Sequence, residues 1–511
     1  MAAQVQYQTP GVYVVEQDGF SSSVVEVPTA VPVFIGYTQI ALRGKQDLTG
    51  KAIALTSMID FMKLYCDPKT PANGAPSPKF GYNSPSTAAM PPCPFDPANP
   101  RFNLYYAMQL FFMNGGGNCY VLSLGPYSSS FTSSDYTNIW LELEKHSEPT
   151  IVVMPDSVLL SANDWTTLSA AALQHCAKMQ NRVVIFDLVK GYLPPDGSDD
   201  DPIKGSDNSS GFYASGTDGE DFNKYGIAYY PWINTTVVPA SNIDFSLLTD
   251  DAIGKLQTDL TTEATDTLQM SAAKLADYAK LVTALASKPA GKDLTKLHQQ
   301  MQTLSPLYRQ LMKDLATSIN MLPPGGAMAG VFALNDTTFG VWQSPANTGI
   351  AGAISAAVNL SDNDQDELNV PLNGLAVNAI RTFPNFGLLV WGARTMAGNS
   401  DDWRYVSVRR TVIMLEQSIK FAMHPFVFKA NVDLTWTAIH STIDNFLNSM
   451  WMAGALQGAK AADAYSIAVG LGKTMTAEDI EQGYMRVTVK IAVTHPAEFI
   501  VLTFVQQAAV S

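Results

Sequence analysis

The chain has 511 residues, of which 46% are hydrophobic and 10% are aromatic, and it carries a formal net charge of −14. This length and composition exclude a disordered chain and predict two to four domains with sizeable cores. The acidic balance argues against a general nucleic-acid or anionic-membrane binder, because such proteins present a basic surface.

The cysteines and the apolar runs indicate a cytosolic protein. No Cys-x-x-Cys pair occurs, which is typical of reduced thiols. The N-terminus lacks a basic segment followed by an apolar one, and apolar runs such as 386–391 are too short to span a membrane. We therefore expect the protein to be made and assembled in the cytoplasm. The four cysteines are Cys66, Cys93, Cys119 and Cys176.

The first predicted strand lies at the tip of the chain. Residues 8–17 read QTPGVYVVEQ, in which a Pro-Gly turn leads directly into a β-branched and aromatic run. Only the seven residues MAAQVQY precede it, so the sequence shows no upstream partner that could satisfy its backbone. The strand is predicted for Val12, Tyr13, Val14 and Val15. Two further strands are predicted over 24–27 and 31–35.

Strands and helices alternate in the next part of the chain, which predicts a parallel or mixed sheet with helices packed on it, an α/β (mixed α+β) fold. A helix over 104–113 ends at the cap signal Asn114, Gly115 and Gly116, and a buried strand follows at 119–122. The remaining elements are strands over 150–154, 182–186 and 226–232, a helix over 168–179, and irregular loops over 67–102 and 194–221, the second of them acidic and exposed.

Residues 245–320 break this alternation. Apolar residues recur at three- and four-residue steps on both sides of a turn at 288–292, which predicts a long antiparallel helix pair with one apolar seam. The simpler interpretation is a helical hairpin packed on its own domain. The alternative is a device that docks a partner or projects from the surface.

The last third of the chain mixes helices with terminal strands. Helices are predicted over 408–422 and 434–456, a short capped helix over 476–483, and strands over 386–391 and 485–493. A nearly all-apolar strand then closes the chain over 499–505. Its apolar residues include Phe499, Ile500, Val501, Leu502 and Phe504.

Motifs for catalysis or metal binding are weak. The glycines of 114–118 end a helix and lack the Lys of a phosphate-binding loop. Adjacent His175 and Cys176 point about 100° apart on a helix and cannot act as a nucleophile and its base. Residues 362–367 begin like a calcium loop but lack its Gly and its bidentate Glu, which indicates a solvated acidic turn. We expect no catalytic residue, no cofactor and no metal.

Motifs along nearly the whole chain resemble the contractile tail sheath family of myophages, pyocins and phage-like injection systems. The similarity depends on their order, since each motif alone is weak. The motifs are TPGVYVVE (9–16), VEVPTAVPVFIGYT (25–38), LTSMIDF (55–61), FFMNGGGNCYVL (111–122), HCAKMQNRVVIFD (175–187), AYYPW (228–232), 323–347, WGARTM (391–396), YVSVRRTVIMLEQSI (405–419), FLNSMWMAGALQGAKAADAY (446–465) and HPAEFIVLTF (495–504).

Two segments depart from the family pattern. The helical hairpin of 245–320 resembles an insertion of the larger injection-system type, and Ser466–Gly472 stands where the family has a Cys-Asp ending. Ten motif residues are assigned structural roles by the resemblance: Asn114, Gly115, Gly116, Pro231, Trp232, Trp391, Gly392, Arg394, Arg409 and Arg410.

The resemblance implies a mechanical function. Family members polymerise as stacked six-membered rings around an inner tube, and the ring lattice shortens to drive the tube through a target membrane. The two terminal strands would enter a sheet shared with neighbouring subunits. The implied partners are further copies of the chain, the inner tube, baseplate and terminator proteins, and sheath paralogues, with no direct nucleic-acid contact. The particle would be a phage tail or a phage-tail-like device, released or membrane-anchored.

The resemblance also implies a division of the chain. An N-terminal strand arm covers 1–20, middle and outer sheath domains cover 21–360 with the acidic loop and the hairpin on the outer surface, a C-terminal domain facing the tube covers 361–498, and a C-terminal strand arm covers 499–511. Two other classes remain open: a cytosolic α/β enzyme with an unrecognised site, and a binding scaffold that uses the hairpin as its docking arm.

Overall fold

The computed structural model describes residues 24–67, 78–83, 91–95, 100–127, 131–205, 211–215 and 220–501. It contains two compact units. Among the described residues, the large unit consists of Pro28–Met414 and 495–501, and the small unit consists of Leu415–Thr494 and 24–27. The predicted domain division concerns positions in an assembled sheath, so it stays a prediction beside these two units.

The strands and helices follow the alternation of the sequence. The strands are β1 (Pro32–Thr38), β2 (Leu42–Arg43), β3 (Gln46–Asp47), β4 (Ala52–Leu55), β5 (Cys119–Pro126), β6 (Ile151–Val153), β7 (Val183–Asp187), β8 (Gly226–Tyr230), β9 (Ile233–Thr235), β10 (Met321–Leu322), β11 (Thr348–Gly349), β12 (Ala353–Ala356), β13 (Asn378–Phe383), β14 (Gly387–Val390), β15 (Tyr465–Val469) and β16 (Val487–Ile491).

The helices are α1 (Met58–Tyr65), α2 (Leu104–Met113), α3 (Ile139–Leu143), α4 (Ala162–Met179), α5 (Glu220–Asn223), α6 (Asp250–Thr262), α7 (Ala272–Ala286), α8 (Lys292–Leu304), α9 (Pro306–Asn320), α10 (Gly325–Phe339), α11 (Asp362–Asn369), α12 (Val406–Met423), α13 (Asp433–Met452), α14 (Ala461–Ala464) and α15 (Ala477–Glu481). Among the described residues, no helix is both long enough and apolar enough to cross a membrane.

A nine-stranded sheet forms the centre of the large unit, in the order β11-β14-β13-β8-β7-β6-β1-β5-β4. The strands from β5 to β13 are parallel, and β4, β14 and β11 pair antiparallel at the two edges. Every residue of β1, β6, β7 and β8 is buried, as expected for parallel strands covered on both faces. The mixed α/β fold is confirmed.

Helices cover both faces of this sheet. Asp187 and Phe186 are adjacent in β7 and therefore point to opposite faces. The Asp187 carboxylate accepts a hydrogen bond from the backbone N–H of Gly325 in α10, and the Phe186 ring lies 5.8 Å from Trp165 of α4. Helix α10 thus lies on one face and α4 on the other. Helix α2 packs beside α10, on the same face.

The contact between α2 and α10 depends on two glycines. A Cβ added at Gly326 would lie 2.6 Å from the Cα of Ala107, and one added at Gly330 would lie 2.5 Å from the carbonyl oxygen of Phe111. The sequence GGAMAG therefore lets the two backbones approach more closely than any larger residue would allow.

The residues 245–320 form four helices instead of the predicted pair. The first arm is interrupted by a π-helical turn over 263–267, and the second is interrupted at Ser305, which caps α9 before Pro306. Both breaks meet at one point, because the buried Glu263 carboxylate accepts hydrogen bonds from the Ser305 hydroxyl and from the backbone N–H of Leu307. The Ser305–Pro306 pair is a signal for the start of a helix. The apolar periodicity continues across this pair and therefore predicted one uninterrupted helix.

These four helices have an apolar core of their own, which we call the helical layer. It also includes Phe80, Tyr82 and Cys93 from the predicted irregular loop, where the Tyr82 hydroxyl donates to Asp259 over 2.8 Å. The simpler interpretation, a helical element packed on its own domain, agrees with this arrangement. Leu304 follows the three- and four-residue spacing that predicts the apolar seam, but its side chain is 43% exposed and lies outside that seam.

Three other local predictions were wrong. Residues 24–27 form no strand, and Val25 is exposed. Residues 362–367 are helical, because Ser361 and Asp364 form a capping box at the start of α11. The acidic loop is partly buried, since the Asp201 carboxylate accepts hydrogen bonds from three backbone N–H groups and Phe212 packs in the main core.

The small unit is built around α13 and a two-stranded sheet. Strand β15 packs against α13, and Trp436, Val469 and Met475 form a buried cluster between them. Helix α13 ends four residues earlier than predicted because Gly454 adopts a positive φ of 89°.

Candidate assembly interface

Strands β15 and β16 form an antiparallel ladder with five residue pairs, from Tyr465 opposite Ile491 to Val469 opposite Val487. Strand β16 alternates as predicted, with Val487, Val489 and Ile491 half-buried and the polar residues between them exposed. This alternation places one face of the ladder toward the small unit's core and the other toward solvent.

The ladder is incomplete as a sheet. Within the part of the chain that the structure describes, β15 and β16 pair only with each other, so each strand has one outer edge without a strand partner. A two-stranded sheet is marginally stable alone, and an open edge carries backbone N–H and C=O groups that can bind a further strand. Just beyond β16, Val493 forms an isolated antiparallel bridge with Leu456, so the segment that follows the strand is already paired there.

The predicted strand arms are only partly described. Phe499, Ile500 and Val501 are 71%, 78% and 87% exposed and adopt no regular structure. The other arm residues, Leu502, Phe504, Val12, Tyr13, Val14 and Val15, lie outside the described residues. Three large apolar side chains are thus exposed in succession, which is unusual on the surface of a soluble monomer.

The root of the C-terminal arm is fixed by Arg394. The buried Arg394 guanidinium donates from Nε and Nη2 to the two carboxylate oxygens of Glu498, with an Nη2–Oε2 distance of 2.6 Å. Burial by itself raises the pKa of Glu498, but hydrogen bonds from Arg394 and Asn369, with the Arg394 charge, hold that pKa below its ordinary value. Glu498 is a functional candidate that the motif search missed, although it lies in the quoted segment HPAEFIVLTF.

Trp391 and Gly392 lie just before Arg394, at the end of β14. The Trp391 ring is 39% exposed and lies 4.5 Å from the ring of Phe383. Gly392 is required by close packing, since an added Cβ would lie 2.8 Å from the side-chain oxygen of Asn378.

Arg409 and Arg410 lie side by side in α12 and are both buried. The Arg409 guanidinium stacks 4.7 Å from the Trp403 ring. Arg410 donates to both carboxylate oxygens of Asp336 in α10, and its Nη2 also donates to the carbonyl oxygen of Thr29. The second arginine therefore joins α12, α10 and the segment that enters β1.

The Asn-Gly-Gly motif ends α2, as predicted. Asn114 is the C-cap, and its side-chain amide exchanges two hydrogen bonds with the backbone of Ala351. Gly115 has a φ of 92°, which favours glycine, and an added Cβ on Gly116 would lie 2.6 Å from the Phe111 ring. The motif therefore holds the end of α2 against the backbone of Ala351.

The segment AYYPW covers the end of β8 and the two residues that precede β9. The Tyr230–Pro231 peptide bond is cis, and the buried Trp232 donates from its indole N–H to the carbonyl oxygen of Leu188 over 2.9 Å. The Arg101 guanidinium lies 5.6 Å from the centre of the same indole ring.

Two buried aspartates at the carboxyl ends of the parallel strands were not singled out from the sequence. Asp156 follows β6 and accepts hydrogen bonds from the backbone N–H groups of Tyr37 and Asn103, and Asp187 ends β7 beneath α10. Burial raises the pKa of Asp156 to about 6 and that of Asp187 to about 7. Each carboxyl group satisfies the start of a helix, so both have a structural role.

No cluster of three or more metal-ligating side chains occurs among the described residues. His175 and Cys176 are both buried, and the Arg182 guanidinium contacts the His175 ring at 3.4 Å. Burial, with the charge of Arg182, lowers the pKa of His175 to about 4. Burial raises the pKa of the Cys176 thiol to about 12, which leaves it protonated and unreactive.

Known proteins match this chain in sequence and in fold. Residues 399–507 match the family model of the phage tail sheath C-terminal domain. A tail sheath protein of Vibrio phage KVP40 is 28% identical over 138 residues, which is 26% of this chain and 20% of that protein's length.

Two solved sheath structures match over nearly the whole chain. The helical sheath of the anti-feeding prophage in its contracted state has a TM-score of 0.59 and 26% identity, over 98% of this chain and 100% of that one. The sheath of the PVC extracellular contractile injection system, also contracted, has a TM-score of 0.60 and 25% identity, over 98% of each chain. The fold is therefore that of a sheath subunit of contractile injection systems. Residues 399–507 carry the tail sheath C-terminal domain.

Proposed function

We propose that this protein is the structural subunit of a contractile sheath, which polymerises as stacked hexameric rings around an inner tube and contracts to drive the tube through a target membrane. The single observation that carries the proposal is the open β15–β16 ladder together with the exposed apolar segment Phe499–Val501. The contracted helical sheaths to which the chain is similar support the same conclusion.

Assembly proceeds by strand addition. The terminal segments of neighbouring copies, 1–20 and 499–511, add to the two open edges of the ladder and form a sheet shared between subunits. A strand matching the five residue pairs of the ladder adds about four to five hydrogen bonds. At roughly 0.5–1.5 kcal/mol net for each bond, one junction contributes several kcal/mol.

Such junctions let the lattice change shape without dissociating. A junction formed by strand addition keeps its hydrogen bonds while the subunits that it joins rotate. Heterologous contacts that do not close into a ring produce a helical filament. The energy of contraction is stored during folding and assembly, so the subunit acts without enzymatic activity and without a cofactor.

The partners follow from the same arrangement. The sheath binds further copies of itself, the inner tube, and the baseplate and terminator proteins at its two ends, and sheath paralogues can share the lattice. Assembly takes place in the bacterial cytoplasm, and the product is a phage tail or phage-tail-like particle. The acidic loop and the helical layer face outward, where insertions are tolerated.

Negative-stain electron microscopy of the purified full chain tests the proposal. Wild type is expected to form tubes, or to co-purify in sheathed particles, and a variant lacking residues 1–17 is expected to fold but not to polymerise. Persistent monomers in the presence of tube and baseplate proteins would refute the sheath function.

A point variant separates strand addition from other contacts. Ile500 is 78% exposed in the free subunit, so Ile500→Asp is expected to leave the fold intact and to prevent polymerisation by placing a charge in the shared sheet. Leu141 in α3, which is 65% exposed, provides the matched control Leu141→Asp. Equal tube formation by Ile500→Asp and wild type would exclude strand addition by the C-terminal arm.

A further inference from the structure

We propose that Glu498 is the anchor of the C-terminal arm: it fixes the point and direction at which residues 499–511 leave the large unit, so that the arm is presented to a second copy of this chain. The inference rests on the proposed strand addition and assigns a positioning residue to it.

The Glu498 carboxylate has three side-chain partners. Both of its oxygens accept from Arg394, at 3.0 Å to Nε and 2.6 Å to Nη2. The Asn369 amide donates to it over 2.8 Å and the Tyr405 hydroxyl over 3.1 Å. A carboxylate that is bound by a fork-shaped guanidinium and two neutral donors has one fixed orientation, and the backbone that carries it is fixed as well.

The receiving arginine is itself rigid. Its remaining nitrogen, Nη1, donates to the carbonyl oxygens of Asn369 and Gly398, so every nitrogen of the guanidinium is used. The backbone N–H and C=O of Arg394 both bond to the side-chain amide of Asn378 in β13. The same amide donates to the carbonyl oxygen of Ala228 in β8. The anchor is therefore connected to two strands of the nine-stranded sheet.

The residues that follow the anchor are apolar and exposed, whereas the anchor itself is polar and bonded to buried groups. Phe499, Ile500 and Val501 are exposed immediately after Glu498. Burying these side chains on their own subunit would compete with adding them to a neighbour's sheet. A polar anchor at the preceding residue holds the arm without covering the surface that the neighbour binds.

The anchor also defines where force enters the subunit. When a neighbour pulls on an added strand during contraction, the tension reaches the large unit first at Glu498. A bidentate ion pair on a buried, fully bonded arginine resists displacement better than an exposed pair, because side chain and backbone move together with the sheet.

The full-length variant Glu498→Gln tests the anchor, because glutamine keeps the shape but removes the charge. Chymotryptic cleavage after Phe499 in the free subunit is expected to accelerate at least about tenfold, since losing one charge-assisted hydrogen bond changes an opening equilibrium by about that factor. The urea midpoint of the whole chain serves as the readout for the fold. The matched control is Asp401→Asn, which removes the 96% exposed carboxylate of the surface pair with Arg404. This variant is expected to change neither the rate of cleavage after Phe499 nor the urea midpoint.

Cleavage and assembly are measured separately so that the two proposals can fail independently. Faster cleavage of Glu498→Gln with an unchanged urea midpoint, together with shorter or fewer tubes, supports the anchor. Unchanged cleavage overturns it, whether or not tubes form. Absence of tubes from wild type, with faster cleavage in the variant, would refute the sheath function while supporting the attachment of the arm at Glu498.

Discussion

The buried ion pair between Arg410 and Asp336 gives the sharpest test of the fold. Their side chains are 3% and 6% exposed, and Asp336 also accepts from the Thr29 hydroxyl. In Asp336→Asn the guanidinium keeps one acceptor oxygen and faces a new N–H group, so a buried charge is left incompletely paired. Breaking a buried pair in this way costs about 3–5 kcal/mol.

The structure favours the lower end of that range. Arg410 retains its hydrogen bond to the carbonyl oxygen of Thr29 and its position 4.6 Å from the centre of the Phe332 ring. We therefore expect Asp336→Asn to lower the free energy of unfolding by about 3 kcal/mol. Arg410→Met should cost a similar amount, and Asp336→Asn with Arg410→Met should cost less than the sum of the two.

Urea unfolding of the full chain, followed by tryptophan fluorescence, measures these differences. The control is Asp277→Asn, which removes the 80% exposed carboxylate of the pair with Lys280 on α7 and should cost less than about 1 kcal/mol. A cost below about 1 kcal/mol for Asp336→Asn, or strictly additive single variants, would refute the assignment of a buried, coupled pair.

Three further predictions concern packing, pH and thiols. Gly326→Ala should lower the free energy of unfolding by about 1–3 kcal/mol, because the new Cβ overlaps Ala107. Gly254→Ala in α6 has open space around the new Cβ and should raise the free energy of unfolding by roughly 0.5–1 kcal/mol. Equal urea midpoints for the two variants would contradict this packing. Burial raises the pKa of Asp187 to about 7, so its contribution is complete below the unfolded-state pKa of about 3.9 and is lost as the pH rises toward 7. Asp187→Asn should therefore gain stability relative to wild type between pH 4 and pH 8, and a difference independent of pH would refute the shift. The four cysteine thiols are buried, so a thiol reagent such as DTNB should react with them only after denaturation, and rapid reaction of the native chain would show an open core.

The central sheet could be predicted because its strands carry their own signal. The runs around Val152, Val184 and Ile227 are continuous, apolar and bounded by turn residues, which is what burial on both faces requires. The caps at Asn114 and Thr476 were also visible, since a capping residue acts within one helical turn.

The errors arise where a distant residue decides the local structure. The periodicity of 245–320 indicated two long helices, but the interruption depends on Glu263 reaching the start of a helix more than forty residues later. The burial of Asp201 and Phe212 within an acidic loop likewise depends on packing against other segments. Composition reports the average environment of a segment and not the contacts of its individual residues.

The candidate interface could be predicted only in part. The sequence predicted apolar terminal strands without partners, and the resemblance supplied the neighbouring copy. The anchor was missed because Arg394 and Glu498 lie far apart in the chain and are brought together only by folding. A single carboxylate before an apolar run has no local pattern that distinguishes it from a solvated charge.

The separate core of the helical layer has a practical consequence for engineering. Its apolar cluster is distinct from the core of the nine-stranded sheet, and the tip between α7 and α8, around 287–291, is largely exposed. A peptide tag or a small folded domain spliced into this tip would displace none of the buried side chains of the sheet. The tip is thus a position at which the subunit should accept a foreign sequence, and an unchanged urea midpoint after insertion of a tag at Ala290 would support this.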